Sequence, residues 1–255
     1  VNAVTRGIRR RLIEAKGVKP IKVTFLPNGV DTEFYRPLSV DESLKTRLGL
    51  AGKKIILYAG THGYAHGLEH ILDAAAMLKD EDIHFLFVGD GSEKSRLIRR
   101  VLELQLKNVT FSDPVPSSQM PSLLSISECG LVPQRKLPLF EGNRPAKTFS
   151  IMSCAKPVVF SGEGEGAQLV LDARAGYVVA PEDPAALVGA IRLIAGNPCL
   201  AREFGRNGRE YVRANLTWEA LVRDWLEQLR VSSELATVAP CQKGTAPERA
   251  NIDVL

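Results

Sequence analysis

Short uninterrupted apolar runs alternate with segments of helical periodicity from residue 53 onward. The runs at 55–59 (IILYA), 83–88 (IHFLFV), 109–111 (VTF), 128–132 (ECGLV), 157–160 (PVVF) and 176–179 (GYVV) do not alternate strictly between apolar and polar. Each therefore predicts a strand buried on both faces. Helices are expected between them, over 67–79, 92–104, 118–125, 146–153 and 165–172. Such an order gives an α/β fold, a Rossmann-like parallel sheet with helices on both faces. Right-handed crossovers place every strand-to-helix loop at one edge of that sheet, which is the expected ligand crevice.

The flanks carry a different pattern. Residues 5–16 predict the last turns of a helix stopped at Gly17, and 22–26 (KVTFL) a short strand closed by the turn Pro27-Asn28-Gly29. A turn-rich linker runs from Asp31 to Pro37. One helix and one strand form no core, so residues 1–37 are expected to end a domain whose body is absent. The start at Val1 rather than Met fits a processed or truncated chain. Towards the other end, Asp183 with Pro184 and Asn197 with Pro198 mark two helix starts. A third helix from Thr217 places Trp218, Leu221, Trp225 and Leu229 on one stripe. Residues 231–255 lose periodicity and are expected to form a disordered tail.

Composition narrows the function. With 45% hydrophobic and 24% charged residues among 255, the chain is an ordinary globular sequence. It has no run of 18 uncharged apolar residues, so no transmembrane helix is expected, and its start lacks the apolar region of a secretory signal. Cys129, Cys154, Cys199 and Cys241 are far apart and form no CxxC pair. That spacing argues against a structural zinc site or disulfide scaffold and fits a reducing compartment. The net charge of +4 is local: residues 1–36 hold eight Lys and Arg against three Asp and Glu, and the rest is near neutral. A nucleic-acid partner, which calls for basic groups spread over a folded face, is not expected. Arg6, Arg9, Arg10 and Arg11 instead make either a solvated helix face or a contact for an anionic membrane or acceptor.

Two loops at the expected crevice are rich in glycine: Gly60-Thr61-His62-Gly63 and Gly89-Asp90-Gly91. Glycines there let backbone amides approach a ligand, and a following helix N-terminus favours phosphate. Tight turns needed only for packing would look the same. Neither loop is a dinucleotide fingerprint or a Walker A motif. His62, His66 and His70 recur every fourth residue, but Gly63 and Gly67 interrupt a helix there. A phosphate contact by His62 or His66 is expected in preference to a metal site, with surface histidines of no particular role as the alternative. Arg144 and Lys147 straddle a predicted helix start, where cations oppose the dipole unless an anion lies between them. The loop 161–166 (SGEGEG) offers backbone amides and the carboxylates of Glu163 and Glu165 to a sugar.

In order along the chain, these segments resemble the nucleotide-sugar glycosyltransferases of the GT-B fold, family 4, retaining type. Pro27-Asn28-Gly29-Val30-Asp31 with Phe34 and Pro37 is similar to the segment that ends that family's N-terminal domain. Tyr58-Ala59-Gly60 through Gly67, with Leu68 and Ala74, resembles its first donor-domain strand, loop and helix, and Phe87-Val88-Gly89-Asp90-Gly91 the second. Pro145-Ala146-Lys147, Met152 and Lys156-Pro157-Val158-Val159 are similar to the variant found in envelope-polysaccharide transferases. Gly176-Tyr177-Val178-Val179 and Pro181-Glu182-Asp183-Pro184 match the ending.

The resemblance implies a UDP-sugar or GDP-sugar donor over the ends of strands 109–111 and 128–132. Its diphosphate would lie near the first loop and Lys147, with Gly60, His62, His66, Gly89 and Arg144 around it, and its sugar near Gly162–Gly166. Where the family usually has a Lys before the loop glycine this chain has His66, and Thr61 and His62 stand in place of an Arg. The family's paired glutamates fall at Gly142 and Ser150, the second being the usual ribose contact, with Glu141 adjacent. No metal or other cofactor is implied. Residues 1–37 would close the acceptor domain, 38–212 would bind the nucleotide sugar, and 213–230 would cross back onto the absent domain, exposing aromatic surface without it. The implied activity is transfer of a sugar to a polysaccharide or lipid-linked acceptor, in the cytoplasm or peripherally at the inner face of its membrane. This half alone is expected to be inactive. A sugar-nucleotide epimerase of the same architecture and a non-catalytic nucleotide-sugar-binding subunit are the alternatives.

Overall fold

The structure, a computed structural model, describes residues 1–238. In chain order its elements are β1 (Asn2–Ala3), α1 (Arg6–Glu14), β2 (Thr24–Phe25), α2 (Glu42–Arg47), β3 (Lys54–Ala59), α3 (Leu68–Met77), β4 (Ile83–Val88), α4 (Lys94–Glu103), β5 (Val109–Ser112), α5 (Met120–Ser125), β6 (Ser127–Pro133), α6 (Ala146–Ser153), β7 (Val158–Ser161), α7 (Glu165–Asp172), β8 (Gly176–Val179), α8 (Pro184–Gly196), α9 (Pro198–Asn215) and α10 (Trp218–Val238).

The six strands β3–β8 form one parallel sheet in the order β5-β4-β3-β6-β7-β8. Alternate side chains along each strand serve opposite faces. Ile55 and Leu57 of β3 join Leu86, Phe149, Met152, Phe160 and Val212 in the core on one face. Ile56 and Tyr58 join Phe85, Phe87, Leu68, Ile71, Leu187 and Ile191 on the other. Every residue of β4 is buried, as its unbroken apolar run requires. The strand order turns back between β3 and β6, so their crossovers leave in opposite directions and open a crevice at the carboxyl edge.

Several boundaries differ from the pattern-based expectation. A two-residue strand, β1, pairs in parallel with β2, so residues 1–25 form a small βαβ unit. A 3-10 turn at Pro20–Lys22 takes the first part of the expected strand. The linker is followed by α2, where the Asp41 side chain accepts from the Leu44 amide at 2.9 Å. Helix α9 continues to Asn215, and α10 extends through residues 231–238, which are helical rather than a disordered tail. The rest of the expected tail, 239–255, lies outside the described residues. Among those described, no single helix is long and apolar enough to cross a membrane.

Helix α10 docks on β2. The Gln228 amide donates to the Phe25 carbonyl at 3.0 Å and accepts from the Phe25 amide at 2.9 Å. The Trp225 indole donates to the Thr24 hydroxyl at 3.2 Å. Trp218 covers Gly29 yet stays 42% exposed. Gln228→Ala would leave two backbone groups of β2 without a protein partner, so it should cost about 1–2 kcal/mol in a denaturant titration. Leu229→Ala, at an exposed position of the same helix, should cost well under half of that.

Candidate functional site

A cavity of about 550 Å³ opens at the carboxyl edge, at the β3/β6 crevice. Its walls come from Gly60 and Thr61 after β3, Gly89 and Asp90 after β4, Pro114 and Val115 after β5, Met120 and Leu124 of α5, and Ala146, Lys147, Ser150 and Ile151 of α6, with Tyr35 from the linker. Lys147, Ser150 and Ile151 share one helical face at spacings of three and four. One end of the cavity is thus apolar and the other carries glycine loops and a cation.

Glycine is required where the two loops meet. Gly60 and Gly89 have φ of +145° and +143°, and a Cβ on Gly89 would collide with the Gly60 carbonyl oxygen. A Cβ on Gly60 would lie 2.6 Å from Lys147 Nζ. That nitrogen is buried with no hydrogen-bond partner, 4.1 Å above the Tyr58 ring. The ring is fixed by its hydroxyl, which donates to the Thr61 carbonyl at 2.6 Å. Burial lowers the Lys147 pKa to about 7. At neutral pH the side chain therefore sits between its charged and neutral forms, held by an aromatic face.

The histidines separate. His62 is fully buried with both ring nitrogens unpartnered, edge-on to Phe87 and Phe111 with centroids 6.2 and 5.6 Å away. Burial first, then the Lys94 charge, takes its pKa down to about 4. Its backbone joins the two loops: its amide donates to the Asp90 carbonyl at 2.7 Å, and its carbonyl accepts from the Glu93 amide at 2.9 Å. The His62 ring packs in the aromatic core and is not part of the cavity wall. His66 lies 6.1 Å from the Tyr58 ring, its pKa lowered to about 4 by burial and by Lys147. His70 pairs with Glu182 at 3.4 Å. No group of three or more His, Cys, Asp or Glu side chains converges on a metal-sized site among the described residues.

Arg144 and Lys147 also part. The Arg144 guanidinium stacks over Phe149 at 5.6 Å, its Nε buried without a partner, outside the cavity. Lys147 lines the cavity and Arg144 does not. Glu163 is exposed, 3.5 Å from Lys136. The Glu165 carboxylate accepts from the Arg6 and Gly7 amides of α1, so neither acid faces the cavity. Of the residues singled out in the sequence, Gly60, Gly89, Lys147 and Ser150 come together around the cavity. The apolar wall of Tyr35, Val115, Met120 and Leu124 carries no motif and was not foreseen. For Met120 the only signal is apolar bulk in a segment predicted to leave the sheet edge, and for Tyr35 an aromatic in the linker.

Comparison with known proteins assigns the family. Residues 40–211 match the family described as glycosyl transferases group 1. The chain belongs to this family. It is 31% identical over 237 residues to WcaI of Escherichia coli (strain K12), named for a glycosyl transferase of colanic acid biosynthesis; that match spans 90% of this chain and 56% of the relative. It is 29% identical over 200 residues to the D-rhamnosyltransferase WbpZ of Pseudomonas aeruginosa, spanning 77% of this chain and 50% of that one. Among solved structures, HepE of Anabaena in complex with UDP-glucose superposes with a TM-score of 0.79 at 19% identity, covering 91% of this chain and 63% of that one. The sucrose-phosphate synthase from Thermosynechococcus elongatus gives 0.75 at 24%, covering 94% and 59%. These neighbours are GT-B glycosyltransferases, and they establish the α/β fold of this group 1 chain. The chain spans just over half the length of the curated relatives it matches.

Proposed function

We propose that this group 1 chain is the donor-binding half of a retaining glycosyltransferase that moves a sugar from a UDP-sugar or GDP-sugar to a polysaccharide or lipid-linked acceptor. Its main support is the Lys147 ammonium, buried and unpartnered beside Gly60 at the mouth of the cavity. A cation in that position costs stability unless an anion meets it, and a sugar-nucleotide diphosphate fits the space and the charge. When the glycosidic bond to the donor breaks, negative charge grows on the departing diphosphate. Lys147 would hold that charge in a water-poor site without a metal ion. The apolar end near Val115 and Met120 would take the base, and Ser150 would offer a hydroxyl towards the ribose.

The names of WcaI and WbpZ support an acceptor in envelope-polysaccharide synthesis. Residues 1–37 would then belong to the acceptor side and 38–212 to the donor side. A cytoplasmic site of action follows, with Arg9, Arg10 and Arg11, exposed on α1, available to an anionic membrane surface. The 255-residue chain alone should not transfer sugar, because the acceptor must be positioned across a closed cleft.

Isothermal titration of the chain with UDP, GDP and UMP tests the donor assignment. A nucleoside diphosphate should bind at least about tenfold more tightly than UMP, since the second phosphate is what reaches Lys147. No binding of either diphosphate at millimolar concentration would count against it. Interconversion of a sugar nucleotide without any acceptor would favour the epimerase reading instead.

A further inference from the structure

Helix α1 has four amides at its start that need acceptors from outside the helix ladder. The Ile8 amide donates to the Thr5 hydroxyl at 3.1 Å, while the Arg9 amide opens the ladder itself on the Thr5 carbonyl at 3.0 Å. Those of Arg6 and Gly7 donate to the Glu165 carboxylate, 159 and 158 residues away, the Arg6 bond being 3.1 Å long. The first turn of α1 contains no acidic residue of its own. Glu165 therefore supplies the charge that complements the positive end of this dipole.

The same junction has no room for side chains. A Cβ on Gly7 would lie 2.8 Å from the Gly142 Cα, and one on Gly142 would lie 3.1 Å from the Gly7 Cα. Both glycines have ordinary φ, so close approach rather than backbone conformation accounts for them. Glu165 is itself tied to this loop, its amide donating to the Glu141 carbonyl at 2.8 Å. Three segments thus meet at one residue, Glu165: the start of α1 on its carboxylate, the 141–142 loop on its amide, and α7, which it begins.

We propose that Glu165 is a positioning residue, an anionic clamp that seats the N-terminal βαβ unit on the 141–142 loop beside the donor cavity, and not a ligand of the donor sugar. It rests on the donor assignment only in that the cavity is taken as the nucleotide site. Because Glu165 lies outside the cavity, the clamp and nucleotide binding are separable.

Amide exchange on the full 255-residue chain, read at Arg6 and Gly7, tests this. In Glu165→Ala those two amides should exchange at least about tenfold faster, with the β3–β8 sheet unchanged. Affinity for UDP-glucose as probe should stay within about twofold, since no cavity contact is lost. Acetate at tens of millimolar should restore protection in Glu165→Ala by supplying the missing carboxylate, a rescue that a general loss of packing would not show. Gly142→Ala should release the same amides with Glu165 intact. Unchanged exchange in Glu165→Ala overturns the clamp, as does a tenfold or greater loss of UDP-glucose affinity without faster exchange. Failure of the wild-type chain to bind any sugar nucleotide would remove the donor assignment, while the amide and acetate results would still decide for or against the clamp.

Discussion

Lys147→Met should weaken binding of a sugar nucleotide roughly 30- to 150-fold, equivalent to about 2–3 kcal/mol, and at the same time stabilise the free chain. The two effects share one cause. The ammonium is buried against Tyr58 with no partner, which penalises the folded state until an anion arrives. A thioether of similar length fills the same space without charge. Thermal unfolding should therefore show a higher midpoint for the variant in the absence of ligand, and calorimetry a weaker complex.

The pH dependence of wild-type binding has a definite sign. With a free-state pKa of about 7, Lys147 is already charged below neutrality, so affinity should be flat there. Above about pH 7 it must take up a proton to meet the diphosphate, which raises its pKa. Affinity should fall as pH rises through that range, by up to about tenfold per unit. Titrations at pH 8 in buffers of differing ionisation enthalpy should register close to one proton taken up per ligand. His62 and His66, both near 4, stay neutral throughout and should add nothing. Equal affinity at pH 6 and pH 9 would exclude Lys147 as the phosphate contact.

Gly89→Ala should be strongly destabilising. It forces a side chain into a backbone conformation that disfavours one and drives its Cβ into the Gly60 carbonyl. Costs of about 3 kcal/mol or more are expected where strain and a backbone collision coincide. For a domain of this size that is a fall of roughly 10 °C in midpoint. Gly189→Ala is the matched control: it lies within α8 with nothing near its missing Cβ. It should gain about 0.5–1 kcal/mol from helix propensity. A Gly89→Ala protein as stable as wild type would show that the two loops do not meet as described.

How much was readable in advance follows the range of the interactions. The sheet was legible because its central strands are buried on both faces and so declare themselves in short apolar runs. β1 was not, since two residues carry no period, and α2 was overlooked although Asp41 marks its start. Helix α10 was expected to stop at residue 230 because apolar periodicity is lost from 231 onward, yet it extends through 238. The loops at Gly60 and Gly89 were found from glycine placement alone. What each cation or acid touches was not: Lys147 turns to Tyr58, Arg144 to Phe149, and Glu165 to a helix 158 residues earlier. Those choices depend on which partners the tertiary fold delivers, and no local spacing encodes them.

The Gln228 contact also gives the small sheet a direction of growth. Thr24 and Leu26 donate their amides to the Val1 and Ala3 carbonyls, while Phe25, between them, points its amide and carbonyl the other way, into a single side-chain amide. Gln228 thus behaves as a one-residue strand that finishes β2. Any further strand, whatever its source, would meet an open ladder only beyond β1, where Asn2 presents the alternate set of backbone groups. One glutamine on the last helix makes a sheet that would otherwise extend from both edges extend from one.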